Sequence, residues 1–368
     1  MLIAADQPRV SNAWSSPAGL NAVKHQVPQV GLIEVEQSSA SAGAGRISQL
    51  NFLEKNMKRA FMYAGQGSQR PGMGKDFYEV FPAFADAIDI AEAIRPGLRK
   101  MMFLDENSQL SETQNTQPAL AAFAAGVTAV LYDAGIRPDY LAGLSLGEYS
   151  ALHAAGVFDV DTLVRVTAFR GKVMQEAGEG KDTCMSAVLG LSAEEVRNIC
   201  EIASAQDAVS VANYNTPVQT VIAGYTPAVA RAEAMAKEAG ARRCIRLNVS
   251  SAFHTELMEP AARALHIYFQ NITFDRMQIP VVFNTTAETI APDETVQGLL
   301  ERQVKSSVQM VDTIRYLADA GVEEIIEIGP GAAISGFVRK TDRRIRTVSI
   351  DTAEDLKRVL EQCSDENR

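Results

Sequence analysis

The stretch YLAGLSLGEYSALHAAG, Tyr140 to Gly156, carries an apolar strand pattern into a helical one through a serine set between two glycines. Few folds accommodate such a corner. In Gly143-Leu144-Ser145-Leu146-Gly147 the glycines permit a tight, strained strand-to-helix turn that exposes the serine oxygen. Ser145 is read as a nucleophile on that basis. Backbone N–H groups and the positive end of the helix dipole favour an anionic intermediate there, which makes the Leu146 N–H an oxyanion donor. A glycine-flanked serine in a plain turn is the competing reading.

A serine nucleophile needs a base, and the chain has four histidines, His25, His153, His254 and His266. His25 lies in a segment without sustained periodicity. His153 follows Ser145 on the same helix, about 12 Å along the axis at the usual rise, too far to take the proton. His266 falls inside a helical stretch and reads as a solvated or packed side chain. His254, in NVSSAFHTELM at the end of a strand-like run, is the best base. Nothing between 145 and 254 marks an aspartate as third member, so that member is missing or is not a carboxylate. Arg170, in FRGKVMQEAG, reads from periodicity alone as a helix-surface arginine, since charged residues are mostly exposed.

Around the elbow, short strands alternate with helices, which predicts an α/β sheet. AFMYA, Ala60 to Ala64, reads as a buried strand feeding the glycine-rich loop GQGSQRPGMG, a usual place for a site. A helix from about Thr116 to Gly135 leads into YLAG. The rhythm then changes: a strand near Cys184 to Leu191, a helix capped at Ser192 and Glu195, strands near Val209 to Tyr214 and Val218 to Gly224, a helix from Thr226-Pro227, and a strand near Arg242 to Leu247. That order, βαββαβ, is the ferredoxin-like split unit. IPVVFN, Ile279 to Asn284, and EEIIEIGPG, Glu323 to Gly331, read as strands of the resumed larger sheet. The expected division is a leader over 1–57, a large α/β domain over 58–182 and 251–352, an inserted subdomain over 183–250, and a tail over 353–368.

Composition narrows the partners. A formal net charge of -10 over 368 residues argues against a duplex nucleic-acid binder, which needs a dominant basic face. The four cysteines, Cys184, Cys200, Cys244 and Cys363, show no CxxC spacing, so neither a metal site nor a disulfide framework is expected. No apolar run approaches the roughly 20 residues of a membrane helix, and a cytoplasmic location is expected. SSASAGAG, Ser38 to Gly45, is small-residue linker chemistry inside the leader.

Taken in order, YAGQGSQRPGMG, NTQPAL, GLSLGEYSALHAAG, FRGKVMQEA, NYNTPVQTVIAG, SAFHTELM, VVFNTTA and EIGPG resemble the malonyl-CoA:acyl-carrier-protein transacylases of fatty-acid and polyketide synthesis over about residues 58 to 350. The resemblance implies a hydrolase-like large α/β domain with an inserted ferredoxin-like small subdomain. It implies Ser145 as the acylated nucleophile, His254 as general base, and Gln66 as a second backbone oxyanion donor beside Leu146. Arg170 would hold the free malonyl carboxylate with its planar fork, and the main-chain carbonyl of Gln303 would orient the histidine. Phe253 resembles the ring that favours malonyl over methylmalonyl, a discrimination worth roughly 1 to 3 kcal/mol; a plain core phenylalanine is the other reading. Leu144 departs from the family, where many members have histidine.

The implied chemistry is ping-pong through a malonyl-serine ester. Malonyl-CoA is the substrate, holo acyl carrier protein is the partner, no metal or bound cofactor is required, and a monomer is expected. Arg242-Arg243 and RKTDRRIR, Arg339 to Arg346, are candidate carrier-docking patches, or simply solvated faces. A trans-acting polyketide acyltransferase, a proofreading acyl hydrolase, a general serine esterase and a non-catalytic carrier-binding scaffold are the rivals. The carboxylate clamp argues against the hydrolase and the esterase.

Overall fold

The computed structural model describes residues 57–249 and 251–366. The expected leader, apart from Met57, and His25 with it, lies outside the described residues.

The elbow strand takes its place in a four-stranded parallel sheet made of β1 (Arg59–Tyr63), β2 (Tyr140–Gly143), β7 (Glu324–Ile328) and β8 (Arg346–Ile350), in the order β2-β1-β7-β8. Between β2 and β7 in the chain lie β3 (Thr183–Leu189), β4 (Val209–Thr216), β5 (Gln219–Tyr225) and β6 (Arg243–Arg246), which form a separate antiparallel sheet in the order β4-β5-β3-β6. That order, with helices Ala193–Ala203 and Thr226–Glu238 as the crossovers, is the ferredoxin-like unit expected from the element order. The molecule is thus a large α/β domain with a small inserted subdomain.

Each sheet is built by its apolar pattern. The inner strands β1 and β7 are buried on both faces, so they show no apolar and polar alternation, and β7 buries Glu324 and Glu327 along with its isoleucines. Over them pack the helices Thr113–Asp133 and Val160–Gly178, the first buried nearly all round because its small residues allow close approach. In the small subdomain, Val188, Val211 and Ile222 of the sheet meet Val196, Ile199 and Val229 of the two helices. Ser192 accepts a hydrogen bond from the Glu195 N–H, and Glu195 accepts one from the Ser192 N–H, closing the capping box.

Two segments differ from expectation. IPVVFN makes no full strand: the Leu141 N–H donates to the Pro280 carbonyl at 2.9 Å and the Val282 N–H to the Leu141 carbonyl at 2.8 Å, a single parallel bridge beside β2. The next ladder donor, the Asn284 N–H, is taken instead by Oε2 of Glu148, and the chain leaves the sheet through a turn with Ala287 at φ 56. The segment expected as a tail forms a helix, Ala353–Glu366, whose Leu356, Val359 and Cys363 are buried in the large core. An apolar residue every three or four positions is the pattern that puts one face of a helix inside.

Among the described residues no helix is long and apolar enough to cross a membrane.

Candidate active site

The corner at Ser145 is as tight as its glycines allow. Ser145 itself sits in the left-handed region at φ 54, a conformation that strains a side-chain-bearing residue and that a rigid surround must hold. A Cβ on Gly143 would lie 2.0 Å from the Gly147 carbonyl carbon, so only glycine lets the strand and helix approach this closely. The GQGSQ loop then packs onto the elbow: a Cβ on Gly65 would lie 2.4 Å from the Leu144 carbonyl oxygen, which brings Gln66 alongside. Among the described residues, no protein acceptor takes up the backbone N–H of Gln66 or of Leu146.

His254 reaches the serine from the other side. Its Nε2 is 2.7 Å from Ser145 Oγ and its Nδ1 is 2.8 Å from the Gln303 carbonyl. A carbonyl only accepts, so Nδ1 carries the hydrogen and Nε2 presents its lone pair to the serine hydroxyl. Gln303 is the last residue of the helix Val296–Gln303, where carbonyls lack partners within the helix. The helix end thereby supplies what an aspartate supplies in a triad. His254 is also at φ 60, held by its N–H donating to the Val304 carbonyl at 3.0 Å. A cleft of about 470 Å3, lined by Arg197, Tyr214, Thr255, Lys305 and Ser306 among others, reaches His254 from the small subdomain.

Arg170 is not on the surface: it is 1% exposed, in mid-helix, facing the elbow. Its guanidinium donates to Gln117 Oε1 at 2.9 Å, to Gln303 Oε1 at 2.8 Å and to Ser145 Oγ at 3.1 Å, and it lies 5.1 Å from the centre of the Tyr149 ring. Among the described residues no carboxylate lies within ion-pair distance of it. The nearest buried acid is Glu148, whose carboxyl burial pushes up to about 8, against the opposing pulls of the Asn284 N–H and Arg170. Burial favours the uncharged form of that acid, and the guanidinium beside Ser145 has no ion-pair partner among the described residues.

Burial, and then the charge of Arg170, depress the His254 imidazole to about 4. The imidazole is therefore neutral at pH 7, the state in which its Nε2 can accept a proton. Labelling of Ser145 by a neutral fluorophosphonate, a probe without a carboxylate of its own, is expected to stay level from pH 7 to pH 5 and to fall by half near pH 4. A half-loss near the ordinary histidine value of about 6.5 would contradict the geometry. The same depression acts on folding: its stabilising contribution is full above the unfolded-state value and is lost as the pH falls toward 4.

The remaining sequence candidates fall as follows. Phe253 is buried in the large core directly before His254. Leu144 packs against the apolar cluster that includes Ile334 and Val338, where a histidine would bury a polar ring. His153 is bonded through Nδ1 to the Phe158 carbonyl, and His266 pairs with Glu301 at the surface. Arg242 and Arg243 are exposed at the edge strand of the small sheet, whereas Arg344 and Arg346 pair with Asp342 and Glu324.

Four contributors escaped the sequence reading: Gln117, Glu148, Tyr149 and Asn284. Gln117 and Asn284 lie inside NTQPAL and VVFNTTA, and for Asn284 a polar residue ending an apolar run was the available signal. The side chain of Gln303 was missed as well; it donates to the Ser145 carbonyl at 2.8 Å while bonding Arg170, so one residue ties His254, Arg170 and the elbow together.

A serine poised to hand its proton to a histidine, with a free buried cation at its elbow, is equipment for passing acyl groups through a serine ester, and it sets this protein among the serine acyltransferases. Residues 60–359 match the family model of the acyl transferase domain. Malonyl CoA-acyl carrier protein transacylase from Bacillus subtilis is 37% identical over 312 residues, covering 84% of this chain and 98% of that protein. A crystal structure of the enzyme of that name from Clostridium perfringens superposes with a TM-score of 0.81 at 34% identity, covering 84% of this chain and 98% of the other. The MCAT structure from Streptococcus pneumoniae gives 0.79 at 41% identity, covering 83% of this chain and 100% of that one. A malonyl-transacylase solved in complex with its type II PKS acyl-carrier protein gives 0.80 at 34% identity, with 83% and 99% covered. The chain belongs to the malonyl CoA-acyl carrier protein transacylase family.

Proposed function

We propose that the protein moves a malonyl group from malonyl-CoA to the pantetheine thiol of a holo acyl carrier protein, supplying extender units for fatty-acid synthesis in the cytoplasm. The observation that carries this reading is Arg170: a guanidinium 1% exposed, without a carboxylate partner, 3.1 Å from the nucleophilic oxygen. A buried charge left unpaired is costly unless a ligand completes it, and the malonyl carboxylate does so bidentately.

In the first half-reaction the Ser145 hydroxyl gives its proton to His254 Nε2 while Oγ attacks the thioester carbon. The Gln66 and Leu146 N–H groups hold the tetrahedral oxyanion. Collapse breaks the C–S bond, and His254 returns the proton to the departing coenzyme A sulfur. In the second, His254 takes the proton of the carrier thiol, the sulfur attacks the malonyl-serine ester, and Oγ leaves with that proton. Gln303 orients His254 throughout, and Phe253 favours malonyl over branched acyl groups. All of these residues come from one chain, which suits a monomer. Arg242 and Arg243 on the open edge of the small sheet are the docking candidates for an acidic carrier.

The test is intact-protein mass spectrometry in two steps. Malonyl-CoA alone should release coenzyme A and add one malonyl group; added holo carrier should then discharge it, more slowly in Arg243→Glu. Acyl groups that load and hydrolyse without malonyl ever appearing on the protein would favour the acyl hydrolase instead.

A further inference from the structure

We propose that Asn284, anchored by Glu148, is the positioning residue that holds the nucleophile in its strained conformation. The Asn284 side chain spans the corner: its Oδ1 accepts the Ser145 N–H at 2.7 Å and its Nδ2 donates to the Gly143 carbonyl at 2.7 Å. These backbone groups bracket Leu144, where the chain enters the corner, and Ser145 directly after it sits at φ 54. Asn284 is fully buried, and its own N–H donates to Glu148 Oε2 at 2.5 Å. Glu148 comes from the first turn of the helix that the elbow opens, so strand, corner and helix are tied through one amide.

The arrangement has two consequences for the chemistry. First, a left-handed serine is strained and persists only when its surround over-determines it; the Asn284 bonds do so on the N–H side of Ser145, as Gln303 does at its carbonyl. Second, by occupying the Ser145 N–H, Asn284 leaves the Leu146 and Gln66 N–H groups as the donors for the oxyanion. Asn284 touches neither acyl group nor thiol, so its effect should lie in the rate of the acylation step rather than in binding. A misplacement of about 1 Å at a reacting atom is worth on the order of 100-fold in rate.

The titratable and charged groups facing this site are Glu148 on the elbow helix, Arg170 on the helix Val160–Gly178, and His254 across the serine. An aspartic acid in place of Asn284 has the same shape, and while protonated it still accepts from Ser145 N–H and donates to Gly143. Once ionised it loses the donor and faces the Gly143 carbonyl with a charge.

The experiment compares wild type, Asn284→Ala and Asn284→Asp in the full chain. It measures the rate constant and half-saturation for acylation by malonyl-CoA, the fluorophosphonate labelling rate of Ser145, and the fraction of protein that labels. Asn284→Ala is expected to lower both rates about 100-fold, with half-saturation changed less than about 3-fold and the labelled fraction intact. Asn284→Asp is expected to recover at least about tenfold of that loss at pH 5 and to lose the recovery as the pH rises. The proposal is overturned if Asn284→Ala labels at the wild-type rate with only a smaller active fraction, or if Asn284→Asp recovers nothing at any pH. The fluorophosphonate readout does not depend on the natural substrate, so a wild type that labels but takes no malonyl would count against the proposed function and leave the elbow result standing.

Discussion

Arg170→Ala is expected to cut malonyl loading of Ser145 by about 100- to 1000-fold while leaving acetyl loading within about tenfold of wild type. Removing one partner of a buried charge pair costs roughly 3–5 kcal/mol, and each 1.4 kcal/mol is tenfold in rate or affinity. An acetyl group has no carboxylate to lose. Arg170→Lys should fall between, because an ammonium supplies the charge without the planar fork that reaches Gln117, Gln303 and the substrate together. The measurement is the rate of adduct formation by mass spectrometry with malonyl-CoA and acetyl-CoA in parallel. Equal losses for both acyl groups would mean that Arg170 serves the serine and not the acyl carboxylate.

Ser145→Ala is expected to abolish the adduct with every acyl-CoA, and His254→Ala to slow acylation by about 1000-fold or more, the usual worth of a well-placed general base with part of its nucleophile's activation. The pair is informative together. The serine oxygen donates to His254 and accepts from Arg170, so loss of the base leaves an oxygen still held at 3.1 Å by the guanidinium. His254→Ala should therefore form the same adduct slowly, at the same residue, which peptide mapping would verify. An adduct on another residue would show that the nucleophile lies elsewhere.

These two expectations share a physical origin in the dryness of the site. Burial depresses the histidine, raises Glu148 and leaves Arg170 as the uncompensated charge. In such surroundings a substrate carboxylate does more than bind: it offsets the Arg170 charge that, after burial, holds His254 down. A neutral acyl group leaves that charge in place, so discrimination is expected in the rate of acylation as well as in affinity.

Much of this protein was legible in its amino-acid order. The two domains followed from a change of rhythm, parallel strands alternating with helices and then βαββαβ, because each sheet type buries a different apolar pattern. Ser145 was legible because a serine corner between strand and helix admits little but glycine around it. His254 was picked out by elimination among the histidines, while the roles proposed for Arg170, Gln66 and Gln303 came from the resemblance of whole motifs to a family.

Tertiary structure alone decided the rest. Arg170 has the sequence of a surface arginine, and only the packing of the helices Thr113–Asp133 and Val160–Gly178 over the elbow buries it against Gln117. IPVVFN has the sequence of a strand, yet Glu148, far away in the chain, takes the Asn284 N–H that a ladder would have used. Local pattern states which side a residue prefers to bury, and that preference is carried by neighbours a few positions away. Which polar groups complete one another across the interior is set by contacts between segments from about fifty to more than a hundred residues apart, and these exist only once the chain has folded.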